Sequence, residues 1–191
     1  MKSAKGEAGY IQKKKKQEII KTVIEFGLVA AIFLTGYLTS KTRLNWLTMI
    51  AVLGCLPGAK SLVGVIMIAP HKSLDTEKAA EIDGKAEKLV KAYDMVLTSY
   101  ERVMPIDSIV ILGNIVCGYS KSSKIDLKYT ERYIRKMLAN NQYDKVSVKL
   151  FADYKAYIAR VEGMENMAKV ENAEEREYEE GIKKVILSLS L

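Results

Sequence analysis

Two long apolar stretches near the start of this chain constrain its fold more than any other feature. The first covers residues 22–40, the second covers residues 44–69, and only the short charged turn 41–43 separates them. A helix needs about 20 mainly apolar residues to cross the hydrocarbon core of a bilayer. Neither stretch carries the polar face that a surface helix of a soluble protein would show. The sequence therefore predicts a transmembrane helical hairpin over residues 22–70.

A basic segment in front of the hairpin predicts its orientation. Residues 1–21 contain the run Lys13, Lys14, Lys15 and Lys16, whereas the turn between the two stretches carries only two basic residues. Lysines beside a membrane span favour the cytoplasmic side, where anionic lipid attracts them. We therefore expect a multi-pass protein of the plasma membrane, with both termini in the cytoplasm and the lipid bilayer as a partner.

The net charge of +7 is unevenly distributed along the chain. Residues 1–72 carry eleven Lys/Arg and three Asp/Glu, whereas residues 73–191 carry nineteen Lys/Arg and twenty Asp/Glu. The predicted soluble domain is therefore near neutral, with no basic field of its own. We expect no nucleic acid among its partners.

Two ionisable residues interrupt the apolar stretches. Glu25 and Lys60 lie at similar distances from the turn, so antiparallel helices would place them at similar depth. One interpretation is an ion pair between them, which offsets part of the cost of inserting a charge. The other is that both side chains snorkel to the cytoplasmic headgroups.

Small residues in the second stretch predict close helix packing. Gly54, Gly58 and Gly64 would let two helix backbones approach each other. The same glycines would support a third reading of the chain, a homo-oligomer that acts as a channel-like or export accessory. Pro57, next to Gly58, predicts a kink or an interruption of the second helix.

Residues 73–191 predict a small cytosolic domain of the α/β (α+β) class, with the element order α-β-β-β-α-β-α-α. The predicted helices cover residues 76–92, 126–139, 153–167 and 173–189. The predicted strands cover residues 95–100, 108–112, 115–119 and 146–151. Gly113-Asn114 signals a tight hairpin between the second and third strands. Both of these strands are almost continuously apolar, which is typical of strands covered on both faces.

This element order resembles the core of restriction-endonuclease-like, PD-(D/E)xK nucleases over residues 76–151. The resemblance implies an acid at the second strand and a Glu-x-Lys on the third, which together hold a metal and activate water. Asp107 fits the first half of that pattern. The third strand, 115–119, supplies no Glu-x-Lys, and the D-x-K formed by Asp153 and Lys155 lies beyond the fourth strand. The resemblance therefore implies an inactive version of the fold.

The sequence offers no recognisable catalytic set, metal-binding cluster or phosphate-binding loop, and we predict neither a cofactor nor a metal site. Our main hypothesis is a two-span membrane protein whose non-catalytic α/β domain binds a protein partner or tethers it at the bilayer. The rival hypothesis is an enzyme. It would be a membrane-tethered, metal-dependent nuclease with a migrated motif, using Asp107 with Glu101, Asp153 and Lys155.

Overall fold

The computed structural model describes residues 5–40, 46–100, 102–171 and 176–191. Within these ranges the chain forms six helices and one four-stranded sheet, and it divides into two compact units. The hairpin unit is Ile11–Lys72. The α/β unit joins the start of the chain, through Tyr10, to Ser73–Leu191.

The hairpin unit consists of two helices, α1 (Tyr10–Ser40) and α2 (Trp46–Ile68). Both are long and apolar enough to cross a membrane. Helix α1 begins well before the predicted span. Its 31 residues correspond to about 46 Å, more than the roughly 30 Å of a hydrocarbon core. Helix α2 continues through Pro57, so the predicted interruption does not occur. The turn 41–43 lies outside the described residues.

The α/β unit has the predicted order of elements. Its helices are α3 (Thr76–Lys85), α4 (Leu127–Ala139), α5 (Tyr154–Glu171) and α6 (Arg176–Ser188). Its strands are β1 (Val90–Thr98), β2 (Val103–Leu112), β3 (Ile115–Tyr119) and β4 (Ser147–Phe151).

The strands follow chain order across the sheet. Strands β1, β2 and β3 form an antiparallel meander, and β4 lies parallel to β3 after the crossover through α4. Gly113 adopts φ +50° in the two-residue turn between β2 and β3, a conformation that glycine permits at little cost. Helices α4 and α6 cover one face and α3 and α5 cover the other, which gives two hydrophobic cores. Burial of β2 and β3 on both faces confirms the interpretation of their apolar runs.

Both ends of the chain cover the free edge of β1. The Tyr93 amide donates to the Gly6 carbonyl at 2.8 Å, and the Val96 amide donates to Ser190 Oγ at 3.0 Å. The Lys5 ammonium donates to the Ser190 carbonyl at 2.9 Å, so the two terminal segments also contact each other. Pairing of this kind protects an edge that would otherwise recruit another strand.

Several element boundaries differ from the predictions. Strand β2 begins at Val103 instead of residue 108, and α5 ends at Glu171 instead of residue 167. Helix α3 ends at Lys85 instead of residue 92, and β1 begins at Val90 instead of residue 95. The alanine and leucine pattern of this segment suits a helix, but Leu89, Val90 and Ala92 are instead buried in the cores that pack on the sheet. Tertiary packing overrides the local helical pattern here.

Candidate functional site

The alternation of buried side chains slips at one point in β1 and β2. Successive strand residues normally face opposite sides of a sheet. Ala92 and Met95 nevertheless belong to the same core although they are three residues apart. Strand β2 slips in the same way opposite this point, so the two strands stay in register. The residues at the slip are two acids, Asp94 of β1 and Asp107 of β2.

Asp94 is almost fully buried and has an unusual backbone conformation. Its φ of 53° lies in the left-handed region, in which Asp is among the few tolerated non-glycine residues. The residue is only 2% exposed. Oδ1 accepts a hydrogen bond from the Leu74 amide at 2.8 Å, but Oδ2 is buried without a hydrogen-bond partner among the described residues. Such an atom costs about 1–3 kcal/mol, so stability alone does not explain this residue.

Asp107, which is 6% exposed, is paired with a lysine from the loop after β3. The Lys121 amide donates to Asp107 Oδ2 at 2.6 Å, and the Lys121 ammonium lies 3.4 Å from Oδ1. Burial nevertheless raises the pKa of the Asp107 carboxyl above its ordinary value, and repulsion from Asp94 adds to that rise. The contacts with Lys121 oppose the shift without cancelling it. We call Asp94, Asp107 and Lys121 the acid–lysine cluster.

The acid–lysine cluster holds the segment with which the α/β unit resumes after the hairpin. Asp94 accepts from the Leu74 amide, and the Lys121 ammonium donates to the Ser73 carbonyl at 2.9 Å. Hydrogen bonds to charged groups contribute about 1.5–3 kcal/mol each, more than neutral ones. The cluster therefore fixes Ser73 and Leu74 to the sheet through side chains of two strands and one loop.

A layer of tyrosines lies in the same core as Leu74. Tyr119 stacks on Tyr157 with ring centroids 5.7 Å apart, and it meets Tyr154 edge-on at 5.3 Å. The Tyr157 hydroxyl shares a hydrogen bond of 2.9 Å with Ser108 Oγ. Burial raises the pKa of Tyr157 well above its ordinary value, so its hydroxyl stays protonated at neutral pH. This arrangement suits packing, not proton transfer.

The residues of the nuclease hypothesis have separate roles in the structure. Asp153 is exposed directly before α5, where its Oδ2 accepts from the Ala156 amide at 2.9 Å as a helix cap. Lys155 is exposed on α5. Glu101 lies outside the described residues. The end of β3 leads into Tyr119-Ser120-Lys121, which supplies the lysine of a Glu-x-Lys but not its acid. In the described ranges no group of three or more His, Cys, Asp or Glu side chains could hold a metal ion.

The glycines of α2 face α1 of the same chain. A Cβ atom added at Gly54 would lie 3.0 Å from Val29 Cγ2, and one at Gly58 would lie 3.2 Å from Phe26. At Gly64 the nearest atom would be a carboxylate oxygen of Glu18, at 3.5 Å. The small residues therefore serve packing within the hairpin.

The charged residues of the hairpin unit form local contacts. Glu25 lies 3.9 Å from the ammonium of Lys21, one helical turn earlier, and Lys60 is exposed. Among the described residues, the ion pair of Glu25 is with Lys21, and no direct pair with Lys60 is formed. A contact through water stays a prediction. The run Lys13, Lys14, Lys15 and Lys16 lies in the first turns of α1, and the third of these donates to the Ala69 carbonyl at 3.1 Å.

Sequence reasoning missed two of the three residues in the acid–lysine cluster. Asp94 lies between the predicted helix 76–92 and the predicted strand 95–100, and Lys121 lies between the predicted strand 115–119 and the predicted helix 126–139. The available signal was an acid inside the run Ala92–Leu97, which is otherwise apolar apart from a tyrosine. A buried charge in such a run points to a specific partner.

Comparisons of the chain with protein families, with curated proteins and with solved structures found no match.

Proposed function

We propose that this chain is a two-span integral membrane protein whose α/β unit acts as a non-catalytic module that binds or tethers a protein partner at the bilayer. The observation that carries the proposal is the exposure of the hairpin unit. Only 11% of the most apolar part of α1 and 17% of that of α2 is buried. A core helix of a soluble protein would bury most of such a stretch, because exposed apolar surface costs free energy in water. Lipid removes that cost.

The α/β unit is built from chain segments on both sides of the hairpin, which supports a hairpin with both ends on one side of the membrane. Residues on both sides of the hairpin in the chain belong to this unit, and Gly6 is hydrogen-bonded to Tyr93 of β1. A folded unit of this kind requires its two chain segments to share one aqueous compartment. The lysine run of α1 makes that compartment the cytoplasm.

The anchoring part of the proposal is tested with epitope tags at both termini of the full chain in native membranes. We expect the protein to resist alkaline carbonate extraction. We also expect protease to remove both tags from inside-out vesicles and neither tag from right-side-out vesicles. Release by carbonate, or removal of only one tag in either preparation, would contradict the two-span topology.

A specific observation also favours the nuclease alternative. Asp94 and Asp107 are two acids at one slip of the sheet, with one carboxylate oxygen unpartnered and Lys121 beside them. Two carboxylates and a lysine are groups that metal-dependent hydrolysis uses. The lysine ammonium, however, is already engaged by Asp107 Oδ1 at 3.4 Å and by the Ser73 carbonyl at 2.9 Å. Mg²⁺- or Mn²⁺-dependent cleavage of DNA by the purified chain, lost in Asp107→Asn, would establish the alternative. An unchanged DNA substrate would favour the tethering module.

A further inference from the structure

The α/β unit is near neutral in total, but its positive and negative charges are concentrated in different segments of the chain. Residues 121–149 contain eight Lys/Arg and three Asp/Glu, a net charge of +5. The rest of residues 73–191 contains eleven Lys/Arg and seventeen Asp/Glu, a net charge of −6. Our expectation that this domain lacks a basic field follows from the total and overlooks the distribution.

Helix α4 presents the excess positive charge as one stripe. Lys128, Arg132, Arg135 and Lys136 are all exposed, and their spacing of four, seven and eight residues places them on one face of the helix. We call these four residues the basic stripe. The opposite face buries Thr130, Ile134 and Leu138. The packing of α4 on the sheet therefore forces the stripe outward.

The basic stripe has no ion-pair partner among the described residues, although Arg132 interacts electrostatically with Asp126. The one acid of α4, Glu131, accepts from the Leu150 amide at 2.8 Å and lies 3.7 Å from the Lys149 ammonium. Asp126, before the helix, caps it and pairs with Arg102. The stripe is thus free to attract an anionic surface.

The aromatic neighbours of the stripe argue against single-stranded nucleic acid as its ligand. Such ligands stack their bases on accessible aromatic rings. Tyr129 and Tyr133 instead pack partly buried against the core, with their rings stacked on each other at 6.5 Å. Arg102 lies 4.8 Å above the Tyr129 ring, and the Tyr133 hydroxyl donates to the Thr98 carbonyl. The accessible chemistry of this face is cationic and not aromatic.

We propose that the basic stripe of α4 binds anionic lipid headgroups and docks the α/β unit on the surface of the bilayer. The inference rests on the proposed function, because anchoring in the membrane keeps the stripe at high effective concentration near the lipid. Each Lys or Arg near an anionic surface strengthens such binding by about fivefold at ordinary salt. The −6 charge of the rest of the unit repels the same surface, so the charge separation selects one orientation.

The test uses the full chain in nanodiscs of phosphatidylcholine alone and in nanodiscs that also contain phosphatidylserine. Exposed lysines are acylated, and the rate at each site is read by mass spectrometry. We expect acylation of Lys128 and Lys136 to slow by at least about threefold in the anionic discs, and to recover at high salt. Lys155, exposed on α5, serves as the control within the chain, and its acylation should stay unchanged.

A variant removes the charge without altering the packed face of α4. It combines Lys128→Gln, Arg132→Gln, Arg135→Gln and Lys136→Gln, and the readout is the acylation of the nearby exposed Lys124. We expect the protection of this lysine by anionic lipid to be lost. The matched control, Lys155→Gln with Arg160→Gln on α5, should keep it.

The outcomes separate this inference from the proposed function. A chain that does not enter nanodiscs at all would contradict both. A chain that enters them but shows equal acylation of the stripe lysines in neutral and anionic discs would overturn the docking proposal and leave the anchor intact. Protection of the stripe by a single-stranded oligonucleotide in neutral discs, without protection by phosphatidylserine, would overturn it in favour of nucleic acid.

Discussion

The hairpin unit and the α/β unit are both rich in large apolar side chains, but they place them in opposite ways. Leu56 of α2 is 69% exposed, whereas Ile109 of β2 is fully buried. In the α/β unit, apolar side chains close two cores against a sheet, as folding in water requires. In the hairpin, three of the four buried residues of α2 are small, and most large apolar side chains are exposed, as expected for helices packed in lipid. The difference supports the proposal that the hairpin unit is adapted to lipid and the α/β unit to water.

The largest effect that distinguishes the units is the cost of a cavity. Ile109→Ala removes a fully buried side chain from the sheet and should lower the free energy of unfolding of the α/β unit by about 2–5 kcal/mol. The matched change Ile24→Ala on α1, at a residue that is 64% exposed, should change it by less than about 0.5 kcal/mol. Urea unfolding in mild detergent, monitored by amide exchange in β2, measures the change in unfolding free energy for both variants. Equal losses would mean that both side chains belong to one soluble core.

A charge placed on an outward face should affect the two units differently. Leu56→Arg on α2 should disfavour membrane insertion by about 2.5–3.5 kcal/mol, because the guanidinium would enter hydrocarbon. Val170→Arg on α5, at a residue that is 84% exposed, should leave insertion and folding unchanged. The fraction of each variant that resists carbonate extraction gives the comparison. Identical fractions would show that α2 faces water.

Added methyl groups should distinguish tight from open packing. A Cβ atom at Gly118 of β3 would lie 2.6 Å from Leu150 Cδ2, so Gly118→Ala should destabilise the α/β unit by about 1–3 kcal/mol. Gly27 of α1 has nothing within 4 Å of the same position, so Gly27→Ala should stabilise its helix by up to about 1 kcal/mol. Thermal unfolding monitored by circular dichroism in detergent measures both changes. A loss at residue 27 would reveal a neighbour that packs there.

The smallest expected effect is a dependence on pH in the acid–lysine cluster. The folded-state pKa of Asp107 is raised, so the folded chain holds the proton more tightly than the unfolded chain does. The stability that this residue contributes is therefore full below its ordinary pKa and is lost as the pH rises through the raised value. The unfolding free energy of the wild type minus that of Asp107→Asn should fall over this window in urea titrations. A difference that rises with pH would mean that the pairing with Lys121 outweighs burial.

Local patterns predicted much of the α/β fold. The turn at Gly113-Asn114 and the apolar runs around it depend on neighbouring residues, and the structure reproduces both. The start of β1 could not be predicted in this way, because Val90 joins the sheet, and Leu89 the core beside it, only through pairing and packing with distant residues. Local propensity does not predict such long-range contacts.

The candidate sites were harder to predict than the fold. The contacts of Asp94 with Leu74 and of Asp107 with Lys121 join segments that are 20 and 14 residues apart, and they depend on a slip that two strands share. The residue pattern of either strand alone does not predict that slip. The basic stripe, by contrast, was readable from the spacing of its four residues, and the neutral total of the domain concealed it.

The most direct test of the proposal that the hairpin lies in lipid uses Cys55, the one cysteine of residues 11–72. Cys55 is exposed on α2, whereas Cys117 is buried in β3, where burial raises the pKa of the thiol to about 12. The full chain in sealed proteoliposomes is treated with a charged, membrane-impermeant maleimide, and Val170→Cys serves as the accessible control. We predict that the control thiol reacts and that Cys55 stays unmodified until detergent dissolves the bilayer. Modification of Cys55 in intact vesicles as fast as the control would contradict the account.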